Sequence, residues 1–217
     1  MAMARIENLN AQSTLIRVYC RGDFHSFFTS TDNSPIMHRQ QLLQLLTHYK
    51  TPFMEEAAMV ARSRRFVAQH ENCFDRSLAP GHVTGSAWVV NPSHTHALMM
   101  HHRKLDRWFQ PGGHADGDHD IIRVVLKETS EESGVDLENI RLVSDKIFDV
   151  DVHTIHPSAH DNRHQHFDIR FLLEIDDSIP VPGNDESHQI GWIPLDQVSH
   201  FNHARSLHRM VQKTRRL

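Results

Sequence analysis

The stretch that decides the fold is Gly112-Gly113-His114-Ala115-Asp116-Gly117-Asp118-His119-Asp120, followed by Ile121 to Leu126 and then Lys127-Glu128-Thr129-Ser130-Glu131-Glu132-Ser133-Gly134-Val135. Ile121, Ile122, Val124, Val125 and Leu126 fit one buried helical face better than a strand. Asp118 or Asp120 can cap the start of that helix, and Gly134 stands where a left-handed C-cap belongs. The pattern therefore predicts a glycine loop feeding a carboxylate-bearing helix. At about 100° per residue, Glu128 and Glu132 lie nearly in line with Glu131 close beside them. Like charges at these spacings cost about 0.2–0.5 kcal/mol per pair, and carboxylates in the last turn also oppose the helix macrodipole. A divalent cation reverses both effects. Mg²⁺ suits such a patch because it takes oxygen ligands, keeps several waters and bridges carboxylates to substrate phosphates.

Composition narrows the surroundings of this stretch. A chain of 217 residues with 39% hydrophobic content can bury one good core plus an appendage. The formal charge of −4 and a pI near 6.6 give no basic footprint, so duplex nucleic acid is not an expected partner. Cys20 and Cys73 lack any paired-ligand spacing and no signal peptide precedes them, which points to free thiols in a reducing, cytoplasmic setting. No apolar run approaches the roughly 20 residues that span a bilayer, so no membrane association is expected. Twenty histidines make charge and metal affinity pH-sensitive between about pH 5 and 8.

Outward from the helix, Val83 to Asn91 and His96 to His102 read as strands before it, joined by Asn91-Pro92-Ser93. Arg141 to Val152 and His166 to Ile175 read as strands after it. Arg103, Lys104 and Arg107 form either a solvated basic loop or a set of cations facing substrate phosphates. Trp108, Phe109 and Phe148 could stack a base, although core packing is the commoner role of such residues. The segment His153 to His166 is rich in histidine. His164 and His166 share a face if the following strand begins early, but a polar connecting loop is a simpler reading than a dedicated zinc site. Glu186 to Asp196 reads as a tail, followed by a helix from about Asn202 to Gln212. Toward the N-terminus, Gln40 to Tyr49 and Phe53 to His70 form a helical hairpin within about residues 37–72, part of an extension over residues 1–80. Residues 1–35 receive no function and read as partly disordered. The main domain covers residues 81–217. Strands flanking one internal helix, with helices before and after, give an α+β sandwich with a mixed sheet.

From Gly113, five residues lead to His119, seven more to Lys127, and Glu128-Thr129-Ser130-Glu131-Glu132-Ser133-Gly134-Val135 follows directly. This resembles the Nudix box, G-x5-E-x7-R-E-U-x-E-E-x-G-U. A looser resemblance covers about Val83 to Gln197, including Trp108-Phe109-Gln110-Pro111-Gly112-Gly113 and Glu186 ahead of Trp192-Ile193-Pro194-Leu195. His119 and Lys127 depart from the family's glutamate and arginine, which there tie loop to helix; Asp118 or Asp120 is the candidate partner for Lys127 here.

The resemblance implies a Nudix α/β/α sandwich and divalent metal dependence. It also implies hydrolysis of a phosphoanhydride bond in a nucleoside diphosphate-linked small molecule. By matching positions it makes Glu128 and Glu132 the principal Mg²⁺ ligands, with Mn²⁺ as a substitute ion, Glu131 a further ligand or base and the Gly113 carbonyl an additional donor. The catalytic set is then Glu131, Glu128 and Glu186, the last resembling the family's later glutamate. Arg103, Lys104 and Arg107 are the candidates for binding substrate phosphates. Three other classes compete: a non-catalytic nucleotide or nucleotide-sugar sensor, against which the retained triad of glutamates argues; an isomerase, for which neither cysteine has a suitable context; and a zinc protein built on the histidines. The sequence leaves the substrate and the oligomeric state, a homodimer included, open.

Overall fold

The computed structural model describes residues 35–157 and 162–217. Residues 1–34, Cys20 among them, and residues 158–161 of the histidine-rich segment lie outside the described residues, so the expectations for them are not met by a structural account. Two helices come first, α1 (Pro35–His48) and α2 (Met54–Gln69), and these pack on each other. Strands β1 (Gly81–Val90), β2 (His96–His102), β3 (Arg107–Phe109) and β4 (Gly112–His114) lead into α3 (Ile121–Ser133). Then follow β5 (Arg141–Leu142), β6 (Asp149–Ile155), β7 (His164–Glu174), β8 (Ser187–Pro194), α4 (Val198–Phe201) and α5 (Arg205–Thr214).

The sheet runs β3-β2-β1-β7-β5, with β4 on β1, β6 on β7 and β8 on β2. Its centre is a parallel pairing of β1 with β7 from Gly81↔Gln165 to Val90↔Glu174, while every other pairing is antiparallel, so the sheet is mixed. Both faces are covered, which explains why β1 is buried along its whole length. Val83, Ala87 and Val89 of β1 and Phe167, Ile169, Phe171 and Leu173 of β7 point into a core shared with α1, α2 and α3. Trp88 and Val90 point the other way, into a second core closed by Leu207, Met210 and Val211 of α5. Helices on both faces of a mixed sheet make an α+β sandwich, with helices also at the N-terminal end. Among the described residues no helix is long and apolar enough to cross a membrane.

Two local expectations change. The strand expected over Arg141 to Val152 is two strands, because Val143 N–H donates to Leu172 O and Phe148 N–H to Arg170 O. The chain between them therefore makes a polar excursion, pinned where Ser144 Oγ accepts from Lys146 N–H at 3.1 Å. The tail from Glu186 contains β8, which lies along β2 from His96↔Pro194 to His102↔Ser187. The basic run Arg103 to Arg107 is the turn and first residue of a β2–β3 hairpin.

A buried ionic cluster that the sequence did not suggest ties the layers together. Arg170 Nε donates to Asp168 at 2.7 Å and Arg209 Nε to Asp149 at 2.7 Å. Lys213 Nζ lies 2.6 Å from Glu56 and 2.7 Å from Asp149. Thr84 and Ser86 hydroxyls also donate to Asp168, at 3.1 and 2.8 Å. These charges are each paired and hydrogen-bonded, the condition under which buried ions are tolerated, and they join α2, β1, β6, β7 and α5.

Candidate functional site

Helix α3 is set by its ends. Asp120 is the N-cap, its side chain accepting from Arg123 N–H at 3.1 Å, and Gly134 ends the helix at φ 71°, a left-handed conformation that glycine adopts without penalty. The Ile121, Val124 and Val125 face is buried against the sheet. Close approach there depends on Gly85: a Cβ on it would lie 2.9 Å from Val125 Cγ2 and 3.0 Å from Ile121 Cδ1.

With that face fixed, the last turns of α3 bring their carboxylates to the glycine strand β4. Glu132 is buried and its Oε2 accepts the Gly112 N–H at 2.8 Å. Glu128 is half-buried, its carboxylate occupying the space that a Cβ on Gly113 would take. Glu131 is more open, with 57% side-chain exposure, so it faces solvent beside the other two. Burial, followed by the opposing effect of the Gly112 N–H and repulsion from Glu128, Glu186 and Glu131, pushes the Glu132 carboxyl up to about 8. Burial also raises Glu128, with Lys127 acting against it. The strain is concentrated on the most buried carboxylate and comes chiefly from burial, with the like-charge repulsion expected from spacing a smaller contribution.

The altered brace takes a different form from the one expected. Asp118 is held by Arg123, whose Nε lies 2.8 Å from it, and Asp120 is used as the cap. Lys127 instead lies 3.6 Å from Glu128 and 3.4 Å from Glu131. The reason is geometric: Glu131 stands one helical turn beyond Lys127, whereas the aspartates lie at the opposite end of the helix.

Of the remaining candidates, Glu186 and Arg103 come together: Arg103 N–H donates to the Glu186 carbonyl at 2.9 Å and Arg103 Nε to Ser187 O at 3.0 Å. Glu186 lies within electrostatic reach of Glu132. Lys104 and Arg107 are exposed on the same hairpin. Trp108 stacks on His101 with centroids 5.4 Å apart and meets Phe201 edge-on at 5.1 Å. Trp108 and Phe148 both pack against the second core, the role that needs no ligand. Cys73 is buried and forms no disulfide among the described residues, and burial pushes its thiol up to about 12, which removes it as a nucleophile at neutral pH.

Three oxygen-bearing carboxylates around a glycine backbone, one buried and difficult to ionise alone, fit a hard divalent cation: the donor set is all oxygen and a bound cation relieves the strain on Glu132. Sequence reasoning missed His82 and His114, which approach His166 and His164 across the sheet. No local signal could have found this, since the pairing of β1 with β4 and β7 alone brings them together.

A family model described as the NUDIX domain matches residues 81–214. No curated protein matches the chain by sequence. Among solved structures, the E. coli dihydroneopterin triphosphate pyrophosphohydrolase superposes with a TM-score of 0.50 at 14% identity, covering 60% of this chain and 92% of that one. The C. elegans Ap4A hydrolase binary complex gives 0.48 at 15% identity, with 62% and 95% covered. A Nudix hydrolase from M. smegmatis, RenU, gives 0.47 at 15% identity, with 62% and 84% covered. At 14% identity the E. coli structure speaks for a shared fold alone, and the family model, which spans more than half of the chain, decides membership. With the box on α3 and its glycine strand in place, the chain belongs to the Nudix hydrolase family.

Proposed function

We propose that this enzyme hydrolyses a phosphoanhydride bond in a nucleoside diphosphate-linked small molecule with Mg²⁺, for which Mn²⁺ can substitute. The observation that carries the reading is the buried Glu132 carboxylate hydrogen-bonded to Gly112 N–H, with Glu128 against Gly113 and Glu131 open beside them. Glu128, Glu131 and Glu132, with the Gly113 carbonyl, would hold the cation. The chemistry Mg²⁺ supplies when bound is neutralisation of diphosphate charge and acidification of water.

The residues then divide the work. Glu131, the most open of the three, accepts the proton of the attacking water, with Glu186, which acts electrostatically on Glu132, as a second candidate base. The water oxygen bonds to phosphorus as the phosphate oxygen of the other half departs in line. Arg103, held by the Glu186 and Ser187 carbonyls, and Lys104 and Arg107 on the same hairpin offer positive charge to the departing phosphate. The E. coli structural relative, named for a triphosphate pyrophosphohydrolase activity, is consistent with this reaction class.

The test is a panel of nucleoside diphosphate-linked compounds incubated with the full chain and Mg²⁺ or Mn²⁺, with products identified by mass. Cleavage into two phosphate-bearing products is expected for at least one class. Tight ligand binding with no metal-dependent product would instead favour the sensor reading.

A further inference from the structure

We propose that His82, His114 and His166 form a second metal site, for a Zn²⁺-type first-row divalent ion, on the face of the sheet opposite α3. The side-chain nitrogens of these three residues lie within 4.8 Å of one another. Their backbones set this up. His82 is paired with His166 across the parallel β1–β7 ladder, and Thr84, two residues on from His82, is paired with His114 on β4. Side chains alternate along a strand, so all three project from one face. Gly85 and Gly113 between them face the other way, against Val125 and Glu128 of α3. The histidine site and the carboxylate site are therefore separated by the thickness of the sheet.

Two further observations point to a ligand. His82 is buried to 1% exposure, yet neither of its ring nitrogens has a hydrogen-bond partner among the described residues, an arrangement that is costly unless something else engages them. His164 Nε2 also faces His166 Nε2 at 3.1 Å, and the His164 ring stacks on His82 at 4.9 Å. Two imidazoles bound to one tetrahedral ion at about 2.0–2.1 Å bring their nitrogens about 3.3 Å apart, close to this spacing, so His164 can supply a fourth donor. The half-buried rings of His114 and His166 leave the pocket open to an ion from solvent.

The donor chemistry selects the ion. Burial first, then the neighbouring histidines, pushes His82 down to about 4 and His166 to about 2, so these two rings stay neutral at neutral pH. Neutral rings present lone pairs, which suit a cation and not a phosphate. Imidazole also favours Zn²⁺, Co²⁺ or Ni²⁺ over Mg²⁺, which takes oxygen. An ion here would fasten β4 to β1 and β7 immediately beside the glycines that face Glu128 and Glu132, in a loop whose helix brace has been rewired at Lys127.

This inference does not depend on the hydrolytic reading, and its test reads metal, not turnover. The full chain without a histidine tag is titrated with Zn²⁺, and separately with Co²⁺ followed by its visible absorption, in the presence of millimolar Mg²⁺. One tight equivalent is expected, retained in Glu132→Gln and weakened at least 100-fold in His82→Asn, His114→Asn and His166→Asn. If buried His82 does not tolerate replacement, His114→Asn and the wild-type competition carry the test. Absence of a tight equivalent in the wild type would overturn the proposal, as would displacement by Mg²⁺, loss in Glu132→Gln, or unchanged binding in His114→Asn.

Discussion

Replacing Glu132 by Gln should stabilise the metal-free protein while removing its response to Mg²⁺. The Glu132 carboxyl is raised from 4.5 to about 8 in the fold, chiefly by burial. A carboxyl with a raised folded value is fully tolerated below about pH 4.5, and stability is lost as the pH climbs toward about 8, because the unfolded chain ionises first. At pH 7 the difference is of order 3 kcal/mol, at about 1.4 kcal/mol per pH unit. Gln keeps an oxygen to accept the Gly112 N–H, now 2.8 Å from Oε2, and carries no charge at any pH. Urea unfolding in chelator at pH 4.5 and pH 8 should therefore show the two proteins nearly equal at the lower pH and the variant ahead at the higher one. With a melting shift of about 2–4 °C per kcal/mol for a chain of this size, the gap should reach several degrees. Mg²⁺ should raise the wild type at pH 8 and leave Glu132→Gln unmoved. Parallel stability of the two proteins across pH, or a variant weaker at pH 8, would refute the assignment of strain to this carboxylate.

Other expectations follow from single contacts. Gly113→Ala places a Cβ 2.6 Å from Glu128 Cδ; overpacking of this kind costs about 1–3 kcal/mol, and metal-dependent turnover should fall at least tenfold, whereas unchanged turnover would mean that Glu128 does not need the glycine. Asp149→Ala leaves Arg170, Arg209 and Lys213 without their shared carboxylate; loss of one partner from a buried ionic cluster costs about 3–5 kcal/mol, and a denaturation difference below about 1 kcal/mol would contradict the tie. For Asp151, burial acts to raise the carboxyl, but the His153 hydrogen bond and the charges of Arg170 and Arg209 outweigh it and hold it at about 2. Its contribution, about 2 kcal/mol at neutral pH, is present above pH 3.8 and lost as the pH falls through 2, so acid unfolding of the wild type and Asp151→Asn should converge below pH 2. Curves that stay apart there would contradict this.

What could be read from the sequence was what local chemistry decides. The start, end and buried face of α3 were legible because Asp120, Gly134 and the apolar spacing act within a few residues of one another. The order of β1 and β2 was legible for the same reason. Strand β8 was not, since its pairing with β2 determines it and its burial does not alternate, with His188 and Gln189 exposed in succession. The partner of Lys127 was misplaced because two acidic neighbours existed and only the helical turn chose between them. Asp149 with Arg209, and His82 with His114 and His166, are separated by long stretches of chain, so no spacing rule could join them.

The most direct test of the central claim is steady-state hydrolysis of the best phosphoanhydride substrate by the wild type, Glu128→Gln and Glu132→Gln, each with and without Mg²⁺. Turnover by the wild type should require Mg²⁺ and fall at least 100-fold in both variants. Turnover independent of Mg²⁺, or equal in all three proteins, would contradict it.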